Sequence, residues 1–258
     1  MSDILFFIGH GTRHAHGAAE FLQLTSEVSR RVQAARPTDA DTRSVVAGFL
    51  ELIPPSLPNA VDIIQQLPDS PHRLLIVPLF LFAAGHIKHD IPEVLRRTVL
   101  SDICQDIQVC PPLGSDLPLR LAAASRALEA GFPRDPASTD GLLSLFRGSR
   151  DDGAYQESQC VARSLQRQLH APHMVTAYLA GDGMRLEPAM MQLYHAGVRR
   201  IWLLPYLLFD GLLWQSLPQQ TAAFVKQHPD MTVQIAHYLG LHEAVVDHVT
   251  AEVLRFLP

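Results

Sequence analysis

Two hydrophobic patterns alternate along this chain. Short unbroken apolar runs rich in β-branched and aromatic residues read as buried strands, and apolar residues three or four apart read as one face of a helix. The first run, Ile4-Leu5-Phe6-Phe7-Ile8, stops at Gly9-His10-Gly11, after which Leu24, Val28 and Val32 recur at helical spacing until Pro37. Ser44 to Leu50 predicts a second strand ending at Glu51, and Ala60, Val61, Ile64 and Leu67 predict the helix that follows. Leu74 to Leu81 predicts a third strand leading to Gly85-His86, with Asp90 as the next helix cap and Pro92 in its first turn. A short fourth strand, Ile107 to Cys110, and a helix from about Leu117 to Ala130 complete the unit. Strand and helix alternating four times call for a parallel sheet with helices on both faces.

The pattern then returns. After a polar, proline-containing stretch from Pro133 to Asp140, which reads as a linker, Leu142 to Phe146 leads into Arg147-Gly148-Ser149-Arg150. That turn matches His10-Gly11-Thr12-Arg13 at an offset of 137, and the same offset carries Leu24, Val28 and Val32 onto Val161, Leu165 and Leu169. His173 to Ala180 repeats the second strand at an offset of 129, and Trp202 to Phe209 repeats the third with its proline. Gly211 answers Gly85, and Leu239-Gly240 answers Leu113-Gly114 at 126. The expectation is an α/β protein of two tandem domains, 1–133 and 141–258, each a four-stranded parallel sheet with helices on both faces.

The chemistry sits in one repeat. Three strands of the first repeat end at His10, Glu51 and His86, and the carboxyl ends of parallel strands share the rim where ligands bind. Two imidazoles and a carboxylate suit a borderline divalent ion such as Co2+, Fe2+, Ni2+ or Zn2+, and so few protein ligands leave coordination positions open. In the second repeat the same positions are Arg147, Ala180 and Leu212. All three metal-capable groups vanish together while the scaffold pattern survives, which marks them as a constellation. Arg13 and Arg150 close the matching turns and are candidates for gripping carboxylates bidentately, and Arg147 is a candidate contact to an anionic ligand.

Composition narrows the remaining classes. Of 258 residues 47% are hydrophobic, and the net charge of −5 offers no basic surface for nucleic acid. The three cysteines form no CxxC pair, which suits a reducing compartment and no disulfide framework. The N-terminus runs straight into the first strand without a signal-like segment, and the run Leu74 to Ala84 is too short to span a bilayer. The expectation is a soluble, cytoplasmic protein with no membrane partner. Neither a G-x-x-x-x-G-K-[ST] phosphate loop nor a G-x-S-x-G nucleophile turn occurs.

Gly9-His10-Gly11-Thr12-Arg13, Gly48-Phe49-Leu50-Glu51, Val77-Pro78-Leu79-Phe80-Leu81 and Gly85-His86 with Asp90-Ile91-Pro92 together resemble the CbiX/SirB-type sirohydrochlorin chelatases of the class II chelatase family. The resemblance covers nearly the whole chain and matches the long, two-domain form. It implies two chelatase-like domains around a cleft and ATP-independent insertion of a divalent metal, Co2+ or Fe2+, into sirohydrochlorin or a related tetrapyrrole, for cobalamin or siroheme biosynthesis. It also implies that His10 and His86 bind metal, with Glu51 as ligand or base. The arginines would orient the substrate's carboxylates. The His-rich, Cys-containing extension of some long members is not in this sequence, so no iron–sulfur cluster is expected. Internal duplication can stand in for a dimer of half-length chains, so a monomer is expected. The competing reading keeps the site but drops turnover, leaving a metal or tetrapyrrole carrier.

Overall fold

The structure is a computed structural model and describes residues 3–36, 43–67, 73–83, 85, 89, 91–97, 100 and 104–257. His86 and Asp90 lie outside the described residues. The chain divides into two compact units, Met1–Gly114 with Val246–Pro258, and Ser115–Val245.

In the first unit the order is β1 (Asp3–Gly9), α1 (Ala15–Ala35), β2 (Arg43–Phe49), α2 (Leu57–Gln65), β3 (Arg73–Pro78), α3 (Ile91–Arg97) and β4 (Asp106–Val109). All strands are parallel in the order β2-β1-β3-β4, with Ile4 level with Ser44 and Leu74, and Ile8 level with Gly48 and Pro78. Alternation sorts β1 between two layers. Ile4, Phe6 and Ile8 join Ala60, Val61 and Ile64 of α2 and Ile91 of α3 in one core. The opposite face meets α1: a Cβ on Gly9 would lie 2.6 Å from the Phe21 ring. Leu24, Val28 and Val32 are buried as their spacing predicts. Ser56 caps α2, its hydroxyl accepting from the Asn59 N–H.

The second unit repeats this plan with α4 (Leu117–Glu129), β5 (Asp140–Phe146), α5 (Asp152–Gln168), β6 (His173–Tyr178), α6 (Leu186–His195), β7 (Arg200–Tyr206), α7 (Leu212–Gln215), α8 (Leu217–Gln227) and β8 (Thr232–Ile235). Its parallel sheet has the order β6-β5-β7-β8, equivalent strand for strand to the first. Leu143 and Leu145 pack with Ala189 and Leu193 of α6 and Phe224 of α8. The expected fold class is therefore observed twice in one chain.

The compact units are not coextensive with the sequence repeats, expected at 1–133 and 141–258. Helix α4 closes the first repeat in sequence but belongs to the second unit, where Arg120 Nη1 donates to Ser164 Oγ of α5 at 2.8 Å. Just beyond α4, Phe132 packs edge-on against Trp202 of β7, and the Trp202 indole N–H donates to Ala130 O. The final helix, α9 (Glu243–Phe256), passes to the first unit from Val246 onward. There Asp247 pairs with Arg31 of α1 at 2.6 Å, and Leu257 O accepts from Arg36. The stretch expected to be a linker is held inside the second unit. Asp140 is fully buried and pairs with Arg200 at 2.6 Å, and the Ala137 N–H donates to its carboxylate.

Two strands are shorter than their apolar runs. β3 ends at Pro78 and β7 at Tyr206, because the runs continue as buried loop: Phe80 packs on the first core, and Leu207 and Leu208 stay buried. No described helix is long and apolar enough to cross a membrane.

Candidate metal centre

β1 lies between β2 and β3, and the chain leaves it toward one side through α1 and returns on the other through β3. This reversal makes the carboxyl ends of β1 and β3 a switch point, the ligand-binding crevice of open parallel sheets. His10 stands there, immediately after β1. The β1–β2 pairing runs on past the strands: Leu50 N–H donates to Gly9 O at 3.0 Å and Glu51 N–H to His10 O at 3.1 Å. These two bonds bring the residues that follow β1 and β2 side by side.

Gly11 allows the close approach. Its φ is +93°, and a Cβ there would fall 2.0 Å from Glu51 O, so neither the angle nor the space admits a side chain. The outcome is a pair: His10 Nδ1 lies 3.2 Å from Glu51 Oε1, with the imidazole 24% and the carboxylate 53% exposed. A carboxylate on the Nδ1 side of an imidazole favours the tautomer with its lone pair on Nε2, the arrangement that orients histidine ligands toward metals. The structure thus joins two of the three expected residues. Among the described residues no group of three or more His, Cys, Asp or Glu comes together to hold a metal. The expected third member, His86, is outside them.

The second repeat builds the same frame without the donors. Leu179 N–H donates to Phe146 O at 3.0 Å and Ala180 N–H to Arg147 O at 2.7 Å. Gly148 has φ +91°, and a Cβ there would lie 1.9 Å from Ala180 O. The alignment of His10 with Arg147 and Glu51 with Ala180 is therefore structural as well as sequential. Leu212, the counterpart of His86, is 71% exposed.

Arg13, Arg147 and Arg150 are all exposed, each on its expected turn. Arg150 borders a hollow of about 260 Å³ whose lining includes Ser149, Asp151, Tyr155 and Asp182. His14 follows Arg13 on the first of these turns. It occupies the N-cap of α1 and, unlike its counterpart Asp151, makes no side-chain cap bond; Asp151 accepts from the Ala154 N–H at 3.0 Å.

Cys104 and Cys110 are buried, and burial pushes their thiols up to about 11 and about 12, so neither is a ready thiolate. Trp202 is a core residue, as expected from the sequence.

Comparison with known proteins adds an independent line. The CbiX family model matches residues 4–130 and 141–255, one match per repeat. A sirohydrochlorin ferrochelatase of Bacillus subtilis is 25% identical over 249 residues, covering 95% of this chain and 88% of that protein. A sirohydrochlorin cobaltochelatase of Priestia megaterium is 22% identical, covering 92% of this chain and 74% of the relative. The sirohydrochlorin chelatase SirB of Bacillus subtilis subspecies spizizenii, solved in complex with cobalt, superposes with a TM-score of 0.76. At 20% identity, that superposition covers 99% of this chain and 95% of the other.

Proposed function

The chain belongs to the CbiX family, and from that premise we propose that it inserts a divalent metal, Co2+ or Fe2+, into sirohydrochlorin or a closely related tetrapyrrole without ATP. The relatives' names divide between ferrochelatase and cobaltochelatase, and an imidazole–carboxylate donor set accommodates either ion. The observation that carries the reading is the His10–Glu51 pair at 3.2 Å on the switch-point rim, in the one repeat that has donors.

In this reading the metal is a substrate, held by His10 through the nitrogen remote from Glu51 and by His86. Insertion exchanges metal for two pyrrolic protons, so the site must also take up protons. Glu51, half-exposed and 3.2 Å from His10 Nδ1, accepts the two protons one after the other and passes each to water. Its charge also steadies the imidazole as the ion departs. Arg13, Arg147 and Arg150 engage the substrate's peripheral carboxylates. The reading includes a monomer residing in the cytoplasm.

The test is metallation of sirohydrochlorin by purified protein at catalytic ratios, with Co2+, Fe2+ and Ni2+ compared. Spectral conversion over many turnovers is expected, with loss of conversion in His10→Ala and in His86→Ala at unchanged circular dichroism. Stoichiometric binding without turnover would instead make the protein a carrier.

A further inference from the structure

The loop after β2 holds a residue with no task in the chemistry above. Leu52 has φ +75°, a region disfavoured for any side chain bearing a Cβ. Ile53 N–H donates to Glu51 O at 3.0 Å across it. Leu52 is thus the centre of a three-residue turn with positive φ, the strained member of the γ-turn pair. Among the described residues His170 is the other non-glycine with positive φ, and it follows the end of α5, where a left-handed residue is an ordinary stop. Leu52 has no such excuse, and burial does not provide one: the residue is 48% exposed.

The second repeat shows what the backbone prefers. The offset of 129 that carries Glu51 onto Ala180 carries Leu52 onto Gly181, whose φ is +67°. Glycine takes that angle without penalty. A Cβ on Gly181 would also meet Ser149 backbone atoms at 2.7–2.8 Å. The repeat without metal donors has therefore settled on the unstrained residue. The repeat with His10 and Glu51 keeps an exposed leucine in a strained turn, one residue from Glu51. Strain retained beside a functional pair points to use of the side chain itself.

We propose that Leu52 is a substrate-contact residue, its exposed isobutyl group packing on the apolar face of the tetrapyrrole macrocycle beside the His10–Glu51 pair. This rests on the chelatase reading above. A tetrapyrrole presents two chemistries, a rim of carboxylates and a broad conjugated face. The arginines answer the rim, and the face calls for an apolar surface that water would otherwise cover. Holding that surface on a fixed turn sets the ring next to the metal donors at little further ordering cost.

The experiment compares wild type with Leu52→Gly and Leu52→Met. It measures sirohydrochlorin affinity by absorbance titration without metal, Co2+ affinity by calorimetry, the thermal midpoint, and KM and kcat for insertion. Leu52→Gly should weaken sirohydrochlorin binding by about tenfold, the size of a lost leucine burial. KM should rise in step, with kcat and Co2+ affinity little changed. The thermal midpoint should hold or rise, because glycine suits the turn. Leu52→Met should restore binding. Sirohydrochlorin affinity in Leu52→Gly within about twofold of wild type overturns the inference. If that variant is destabilised, Leu52→Asn, which tolerates the left-handed region and removes the apolar group, decides on the same criterion. Wild type that binds sirohydrochlorin without metallating it defeats the chelatase reading and leaves the contact standing. An active wild type with Leu52→Gly unaffected defeats the contact alone.

Discussion

Gly11 and Gly148 hold nearly the same angle, +93° and +91°, each beneath the carbonyl of the residue that follows the neighbouring strand by two. Around them the two repeats diverge. The first packs Phe21 on Phe49 with ring centroids 4.7 Å apart. The second, at the matching positions, joins Ser158 Oγ to Tyr178 OH at 2.9 Å, and Gln159 Nε2 donates to the same hydroxyl at 2.8 Å. Burial leaves that phenol raised above its ordinary value despite these bonds. The first rim displays an imidazole and a carboxylate; the second displays Arg147 and Ala180. A duplicated frame has kept its turns, where sterics leave no choice, and has rewritten the groups displayed on them. Backbone constraint and chemical role are separable here, and each repeat serves as the control for the other.

The largest break in that comparison comes from exchanging the displayed residue. His10→Arg installs the second repeat's residue on the first repeat's turn, and metal insertion should fall to background while urea unfolding stays close to wild type. Adding Arg147→His to it should not restore turnover, since Ala180 supplies no carboxylate. Retained insertion in His10→Arg would remove the case for a one-repeat site.

The supporting contacts give a graded effect. Phe21→Ala should destabilise by about 3–5 kcal/mol, because it empties buried space under β1 and β2. Ser158→Ala should cost only about 1 kcal/mol, since Gln159 still satisfies the Tyr178 hydroxyl. Urea denaturation of both variants checks the ratio, and equal losses would mean that the two repeats' supporting contacts do not differ in energy.

The smallest expected effect concerns the thiols. Cys104 and Cys110 of the first unit are buried with raised thiol values, whereas Cys160 on α5 is exposed. A thiol reagent at neutral pH should modify Cys160 alone in the native protein and all three cysteines after unfolding. Cys160→Ser should abolish native labelling without altering metal insertion. Rapid native labelling of Cys110 would show that the first core opens readily.

The strands, the helices and the duplication were legible because each rests on local pattern. Leu24, Val28 and Val32 mark the buried stripe of α1 by spacing alone, and the match of Gly11 to Gly148 was visible as spelling before it was visible as geometry. Strand ends were less legible. Phe80 and Leu207 extend apolar runs beyond the ladder, and hydrophobicity reports burial rather than hydrogen-bond pairing. The destination of α4 was not legible at all. Its buried face, Leu119, Ala122, Ala123 and Ala127, is small and apolar enough for either sheet, and the choice is made by distant partners such as Ser164 and Trp202. Proximity of His10 to Glu51 followed from their shared rim. The 3.2 Å approach of Nδ1 to the carboxylate is a matter of rotamers that spacing does not encode.

Because residues from Val246 onward belong to the first unit, that unit is not finished when its sheet has left the ribosome. Its fourth strand is complete at Val109, yet Val249 and Val253, both buried, are translated only after the entire second repeat. During that interval the first unit lacks the segment whose Asp247 pairs with Arg31 and whose Leu257 carbonyl accepts from Arg36, so α1 is left without these two partners.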